Sequence, residues 1–201
     1  MTKISLKDIQ EDANNLIKEF QPLNHSEILQ QIYKKIERVN FREKAKIKNE
    51  KDQVKRKHHL ICCIESVLKI AKKNNWAICR HNELIYLYNS NYWSYIEKDK
   101  LQVFLGMAAQ KMGVEKFDAH HYIFREQLYK QFHSGGYMAK PEPKKDIVLI
   151  NLKNGTFEIS PQKQFLRNPH FKDFLTYQLP FEYRFNAKAP LFQNYLDKVL
   201  P

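Results

Sequence analysis

The sequence predicts an α+β fold, predominantly helical. Its expected order is N-terminal helices, a short antiparallel meander, two helices, then a β-hairpin, a strand and a C-terminal helix. Three observations predict it. Apolar residues recur at helical spacing from Leu6 to Val39 and again from Leu60 to Ala71. Between Trp76 and Ile96 the period shortens to that of strands. Helices and strands then come in blocks rather than in the βαβ alternation that builds a parallel sheet. With 201 residues, 43% hydrophobic and 13% aromatic, the chain has enough apolar surface for a packed core.

Residues 5–20 read as a helix with Ser5 as N-cap and Leu6, Ile9, Ala13, Leu16, Ile17 and Phe20 as its stripe. Gln21-Pro22-Leu23-Asn24 breaks it. A second helix is expected from Ser26, with Ile28, Leu29, Ile32, Ile36 and Val39 inward. The charged stretch Arg42–Lys57 follows, as an exposed helix or a linker. Helical spacing resumes at Leu60, with Ile61, Ile64, Val67, Leu68 and Ala71 buried, and stops at Asn74-Asn75. Strands are predicted at Ala77–Cys79, Leu84–Tyr88 and Tyr92–Ile96, joined at His81-Asn82 and Asn89-Ser90-Asn91. One helix then places Leu101, Phe104, Leu105, Ala108 and Met112 inward and ends at Gly113. Another runs through 117–132 with Ile123, Phe124, Leu128 and Phe132 inward. Ser134-Gly135-Gly136 and the basic Lys140–Lys145 form a connector. The expected domains are a helical region with a basic segment, 1–74, and an α+β domain, 75–201.

Lysine and arginine number 34 against 22 acidic residues, giving a formal charge of +12 and a pI near 9.5. Such an excess favours polyanions and predicts binding that weakens with salt. The charge gathers between Lys34 and Lys57, where eleven cations face four carboxylates. The residues expected to contact DNA phosphates are Lys44, Lys46, Lys48, Lys51, Lys55, Arg56 and Lys57, followed by Lys140, Lys144 and Lys145. They would hold backbone without reading bases.

Other clusters read differently. Tyr86, Tyr88, Tyr92, Trp93 and Tyr95 could stack on unpaired bases beside Arg80 and Lys98, but aromatics on a short meander are more often core and cross-strand pairs. His58, His59, Cys62, Cys63, Cys79 and His81 contain zinc-type ligands in no common zinc spacing, and Cys62-Cys63 lie in an apolar run where cysteine packs as a small hydrophobe. No metal site is therefore expected. Asp8, Glu11 and Asp12 suit the first turns of a helix better than a two-metal centre, and Ser134 beside His133 lacks a third partner. No catalytic residue is expected. No run of 18 apolar residues and no signal-like Met1–Gln10 appear. Three cysteines, two of them adjacent, make a poor disulfide framework. The expected compartment is the cytoplasm.

The C-terminal third carries the most specific signal. Asp146–Ser160 reads as a hairpin with Asn154-Gly155 supplying the positive-φ residues of its turn. Leu175–Tyr183 reads as a strand closed by Pro180. From Pro190 an amphipathic helix carries Phe192, Tyr195, Leu196 and Val199 on one face. This passage resembles the region preceding the ATPase module of phage, plasmid and poxvirus primase–helicases of helicase superfamily 3. The resemblance is carried by Asn154, Gly155, Tyr183, Ala187, Ala189, Pro190, Leu196 and Leu200. It is close over 146–201, loose over 75–145 and slight before residue 60.

The resemblance implies an accessory domain beside a ring-forming, usually hexameric, motor that uses ATP and Mg²⁺ to move on single-stranded DNA. The five glycines, Gly106, Gly113, Gly135, Gly136 and Gly155, cannot supply a G-x-x-x-x-G-K-[ST] phosphate loop. ATP and Mg²⁺ are thus expected only at a motor module that this stretch lacks, and no cofactor in the stretch itself. The expected partners are DNA and further copies of the chain. The alternative is an adaptor whose N-terminal helices oligomerise or recruit a primase without touching DNA.

Overall fold

The computed structural model describes residues 23–136, 138 and 145–200. The helix expected at 5–20 lies outside them. The described residues divide into two units. The first holds those through 138 together with His170–Tyr177, and the second holds those of 145–169 and 178–200.

In the first unit, α1 (His25–Lys34) is N-capped by Asn24, whose side chain accepts from Ser26 N. It ends five residues before the expected Val39. The Lys111 ammonium donates to the terminal carbonyls of Tyr33 and Lys34 at 2.7 and 3.1 Å, satisfying groups that a longer helix would bond internally. The chain then follows the end of a later helix, with Val39 N donating to Met112 O at 2.9 Å. Ile36 is buried here without being helical.

The charged stretch is not one helix. α2 (Phe41–Lys44) is a single turn capped by the Asn40 side chain. An irregular strap runs on to α3 (Arg56–Lys73). The Arg42 guanidinium shapes the strap by donating to the carbonyls of Asn49, Glu50 and Asp52 at 2.9, 3.2 and 2.5 Å. α3 starts four residues ahead of Leu60 and buries Cys62, Cys63, Ile64, Val67 and Ala71. Ile61, expected inward, is exposed. The two cysteines take the inward arc in its place.

The meander forms as predicted, with β1 (Ala77–His81), β2 (Leu84–Tyr88) and β3 (Trp93–Ile96) antiparallel in that order. Its first turn places Asn82 and Glu83 both at positive φ, 47° and 62°, the twist a two-residue hairpin loop needs. Register sets Arg80 opposite Ile85, and Ile85 opposite Ile96. Ile78, Ile85, Leu87 and Ile96 face the helices. On the opposite face Cys79, Tyr88 and Trp93 are covered by Met138 and Phe174. Trp93 pins that cover, its backbone N–H donating to Leu175 O and its indole N–H to Phe171 O, both at 2.8 Å. Of the aromatics expected as core or base platforms, Tyr88 and Trp93 are buried, Tyr86 and Tyr92 are half-buried and Tyr95 is exposed. The core joins Val67 and Ala71 to Ile78 and Leu87.

α4 (Lys98–Met112) buries all five expected residues and stops at Gly113. The helix predicted over 117–132 is two, α5 (Lys116–His120) and α6 (Tyr122–Gly135), separated by an extended His121. Their corner sits so close to α4 that a Cβ on Gly106 would stand 2.9 Å from Ala119 O and from Arg125 Nε. Of the expected stripe, Phe124, Leu128 and Phe132 are buried and Ile123 is exposed.

In the second unit β4 (Val148–Leu152), β5 (Gly155–Ile159) and β6 (Gln164–Arg167) form an antiparallel sheet in chain order. Leu152 pairs with Gly155, so the loop residues are Lys153 and Asn154, and of the expected Asn154-Gly155 pair only Gly155 has positive φ, 147°. A Cβ there would meet Arg167 O at 2.6 Å. β6 was not expected, and 175–183 is no strand. Isolated bonds tie it to β4 and the turn after it, Leu179 N to Asn151 O at 2.8 Å, the Gln178 amide to Leu152 O at 3.1 Å and Lys153 N to Phe181 O at 3.0 Å. Pro180 has no N–H to continue a ladder. The Asn154 amide clamps Tyr183 twice, accepting from its N–H and donating to its C=O, each at 2.9 Å. Tyr183 in turn stacks on Phe157 at 4.5 Å. α7 (Pro190–Val199) follows with Pro at its start.

Two expectations can be measured. Gly155→Ala should destabilise the second unit by about 2 kcal/mol or more, from backbone strain plus the clash with β6, and Asn154→Ala by about 1 kcal/mol, both read from urea midpoints. Burial holds the His25 and His59 imidazoles below their ordinary value, against the opposing pull of Tyr92 O on His25 and of Asp118 on His59. The unfolded chain therefore binds more protons just below pH about 6.5. Stability should be full above that pH and fall as pH drops through it, and His25→Gln with His59→Gln should flatten that slope.

Candidate nucleic-acid interface

The chain from Lys35 through α2 to Lys46, where the strap begins, and the C-terminal half of α3 enclose a groove of about 750 Å³ in the first unit. Among the described residues six cations line it: Lys35, Arg38, Lys44, Lys46, Lys69 and Lys73. The carboxylates of Glu37 and Glu43 also reach it. Ile36, Val39, Ile70 and Met112 make an apolar floor. Helix geometry explains the α3 contribution, since Lys69 and Lys73 are four apart and share one face. Phe41 fixes the strap to α3, being buried and edge-on to His59 at 4.6 Å between ring centres.

The expected phosphate-contacting residues separate into groups. Lys44 is an anchor, its ammonium donating to Cys62 O at 3.0 Å and to the Ser66 hydroxyl. Lys46 is exposed on the groove. Lys48, Lys51, Lys55 and Lys57 are exposed along the strap and the start of α3, outside the groove lining. Arg56 lies over the Phe124 ring at 5.4 Å. Lys145 is exposed in the second unit, and Lys140 and Lys144 lie outside the described residues. Lys69 and Lys73 were missed because they belong to a helix whose charges look like an ordinary solvated face. Their i, i+4 spacing was the available signal. Lys35 and Arg38 were in the basic run but were not singled out.

Among the described residues no cysteine or histidine lines this groove. Burial pushes the Cys63 thiol up to about 12, with Cys62 adding to it, and burial alone pushes Cys79 up to about 12. Burial also raises Cys62, against the pull of Lys44. Thiols held in that direction are poor metal ligands and nucleophiles. Among the described residues no group of three or more His, Cys, Asp or Glu side chains comes together as a metal site. His133 faces Glu83 at 3.3 Å and Tyr129 at 5.5 Å. Asp8, Glu11 and Asp12 are outside the described residues. No described helix is long and apolar enough to cross a membrane.

Comparison with known proteins gives one result. A family model described as "D5 N terminal like" matches residues 3–201. No curated protein and no solved structure matches the chain significantly.

The division between anchor and surface cations is open to a stability test. Lys44→Met should cost about 1–2 kcal/mol through its lost hydrogen bonds. Lys46→Met and Lys69→Met should each stay within about 0.5 kcal/mol of the parent, as measured by urea denaturation.

Proposed function

Because the chain belongs to the D5 N-terminal-like family, the N-terminal region of phage, plasmid and poxvirus primase–helicases, we propose that it is the accessory, DNA-engaging and oligomerising domain of a mobile-element replicative helicase of superfamily 3. In this reading the chain itself is non-catalytic. ATP and Mg²⁺ act at the motor module, and the domain works in the cytoplasm on single-stranded or forked DNA. The observation that carries the reading is the cation-lined groove between the strap and α3. A chain of phosphates passing along Lys35, Arg38, Lys46, Lys69 and Lys73 would relieve their mutual repulsion and release condensed counterions. Exposed Lys48, Lys51, Lys55, Arg56 and Lys57 would add phosphate contacts in the same unit, and Lys140, Lys144 and Lys145 are proposed as further phosphate contacts, independent of the groove. The contacts are to backbone, so binding is indifferent to sequence.

A second reading, the adaptor that oligomerises or recruits a primase without holding DNA, draws on α7. Its apolar face is open, Leu191 at 85% and Phe192 at 61% exposure with Tyr195 and Val199 beside them, as a protein-contacting helix would be.

Titration with labelled single-stranded and duplex oligonucleotides across salt tests the first reading. If about four cations meet phosphates on a single strand, log K should fall with log salt at a slope near −3. Lys46→Glu, Lys69→Glu and Lys73→Glu together should weaken binding at least about tenfold and shallow the slope by about 2. Equal affinity in that variant, or no salt response, sinks the groove as the DNA site. Light scattering that finds stable rings or dimers indifferent to DNA favours the adaptor.

A further inference from the structure

We propose that the corner between α5 and α6 is a base-stacking site for a single nucleic-acid strand, with Phe117 and Tyr122 as its rings. This rests on the reading of the chain as a DNA-engaging domain and adds to it where unpaired bases go. Phe117 is 80% and Tyr122 74% exposed. They stand on either side of the extended His121 that separates the two helices. Ile123, next to Tyr122, is exposed as well. Large rings left in water forgo the burial that aromatic side chains ordinarily contribute, and apolar groups exposed together mark a contact surface.

The corner holds these rings on a rigid support. Ala119 and Phe124 turn inward and are buried, and Ala119 O lies close against Gly106 of α4. His120 meets Gln110 at 2.7 Å and Arg125 at 3.1 Å, while the His121 ring tilts against Tyr122 at 5.0 Å. A ring fixed in advance loses little freedom when a base stacks on it. Tyr122 also borders a cavity of about 520 Å³ between α4 and α6, whose other described lining is Gln102, Ile123, Glu126, Gln127 and Lys130. The Gln127 side-chain oxygen is buried and has no hydrogen-bond partner among the described residues. An N–H on the edge of a base would supply one.

A neighbouring helix supplies the phosphate contacts. α3 packs on α6, and the Arg56 guanidinium lies over Phe124, two residues beyond Tyr122. Lys55 and Lys57 are exposed on either side of Arg56. The carboxylates at the corner are already engaged. Glu115 caps α5 by accepting from Asp118 N at 3.0 Å, and Glu126 faces Lys98 at 3.3 Å and Lys130 at 4.0 Å. Rings with cations beside them match a strand in which bases and phosphates alternate, better than they match an apolar protein face. A duplex keeps its bases stacked on one another and gains nothing from the rings. Neither ring lines the cation groove, so the two sites can be lost separately.

Binding of the full chain to labelled oligonucleotides of equal length tests the site, using a single strand, a duplex, and a single strand whose sugars carry no bases. The parent should bind the intact strand about tenfold or more tighter than the abasic one, which keeps every phosphate. Phe117→Ala and Tyr122→Ala should each weaken binding of the intact strand roughly fivefold or more. Neither should change affinity for the abasic strand or the duplex, or the salt slope, since no charge is removed. Tyr122→Phe should bind like the parent, because the ring is used and not the hydroxyl. Both positions are exposed, and an unmoved urea midpoint shows that the variants fold. Equal parent affinity for intact and abasic strands overturns the inference. Full affinity in both alanine variants also overturns it and leaves the corner to a protein partner, while the cation groove stands if Lys46→Glu, Lys69→Glu and Lys73→Glu still weaken binding. A parent that binds no oligonucleotide removes both sites.

Discussion

The first unit depends on α3 being buried along its length. It meets α1, α2, α4, α6 and β1. Cys62, Cys63, Ile64, Val67 and Ala71 make that possible, because an inward arc of small and medium side chains lets several neighbours approach closely. The exposed side of the same helix carries Lys69 and Lys73. One element therefore fixes the core and presents cations, and the second task needs the rigidity of the first.

The strap shows how a chain of like charges is held in place. Eleven cations within a short run would not settle on a surface by themselves. Phe41 enters the core, Arg42 gathers three carbonyls, and Lys44 reaches the backbone and hydroxyl of α3. Two of the basic residues thus serve as hydrogen-bond donors to the protein, which leaves Lys46 and its exposed neighbours for an outside anion. A charge count alone does not distinguish these roles. Geometry does, because an ammonium already bonded to carbonyls has few donors left to give.

The second unit solves a different problem with few residues. A small three-stranded sheet is marginal unless something covers it. Here the Asn154 side chain holds the returning chain at Tyr183 through both backbone groups, and Tyr183 lies on Phe157. The tight approach of β6 at Gly155 completes the sheet. These contacts give a physical account of why asparagine, glycine and tyrosine occur together in this passage, independent of any family likeness.

The sequence by itself determined the α+β class, the order of most elements, the three-stranded meander, the hairpin near Asn154 and the location of the basic run. Each is set by local period, turn residues or composition, and those act over a few neighbouring residues. Tertiary structure decided the rest. The early end of α1 follows from Lys111, 77 residues away from Lys34. The break at His121 follows from close packing on Gly106, and the absence of a strand at 175–183 follows from where its backbone finds partners. The cation groove belongs here too, since Lys46 and Lys69 become neighbours only when Phe41 is buried against α3. Period and composition report what a segment prefers, whereas distant partners that satisfy backbone groups and fill space fix where each preference stops and which charges end up side by side.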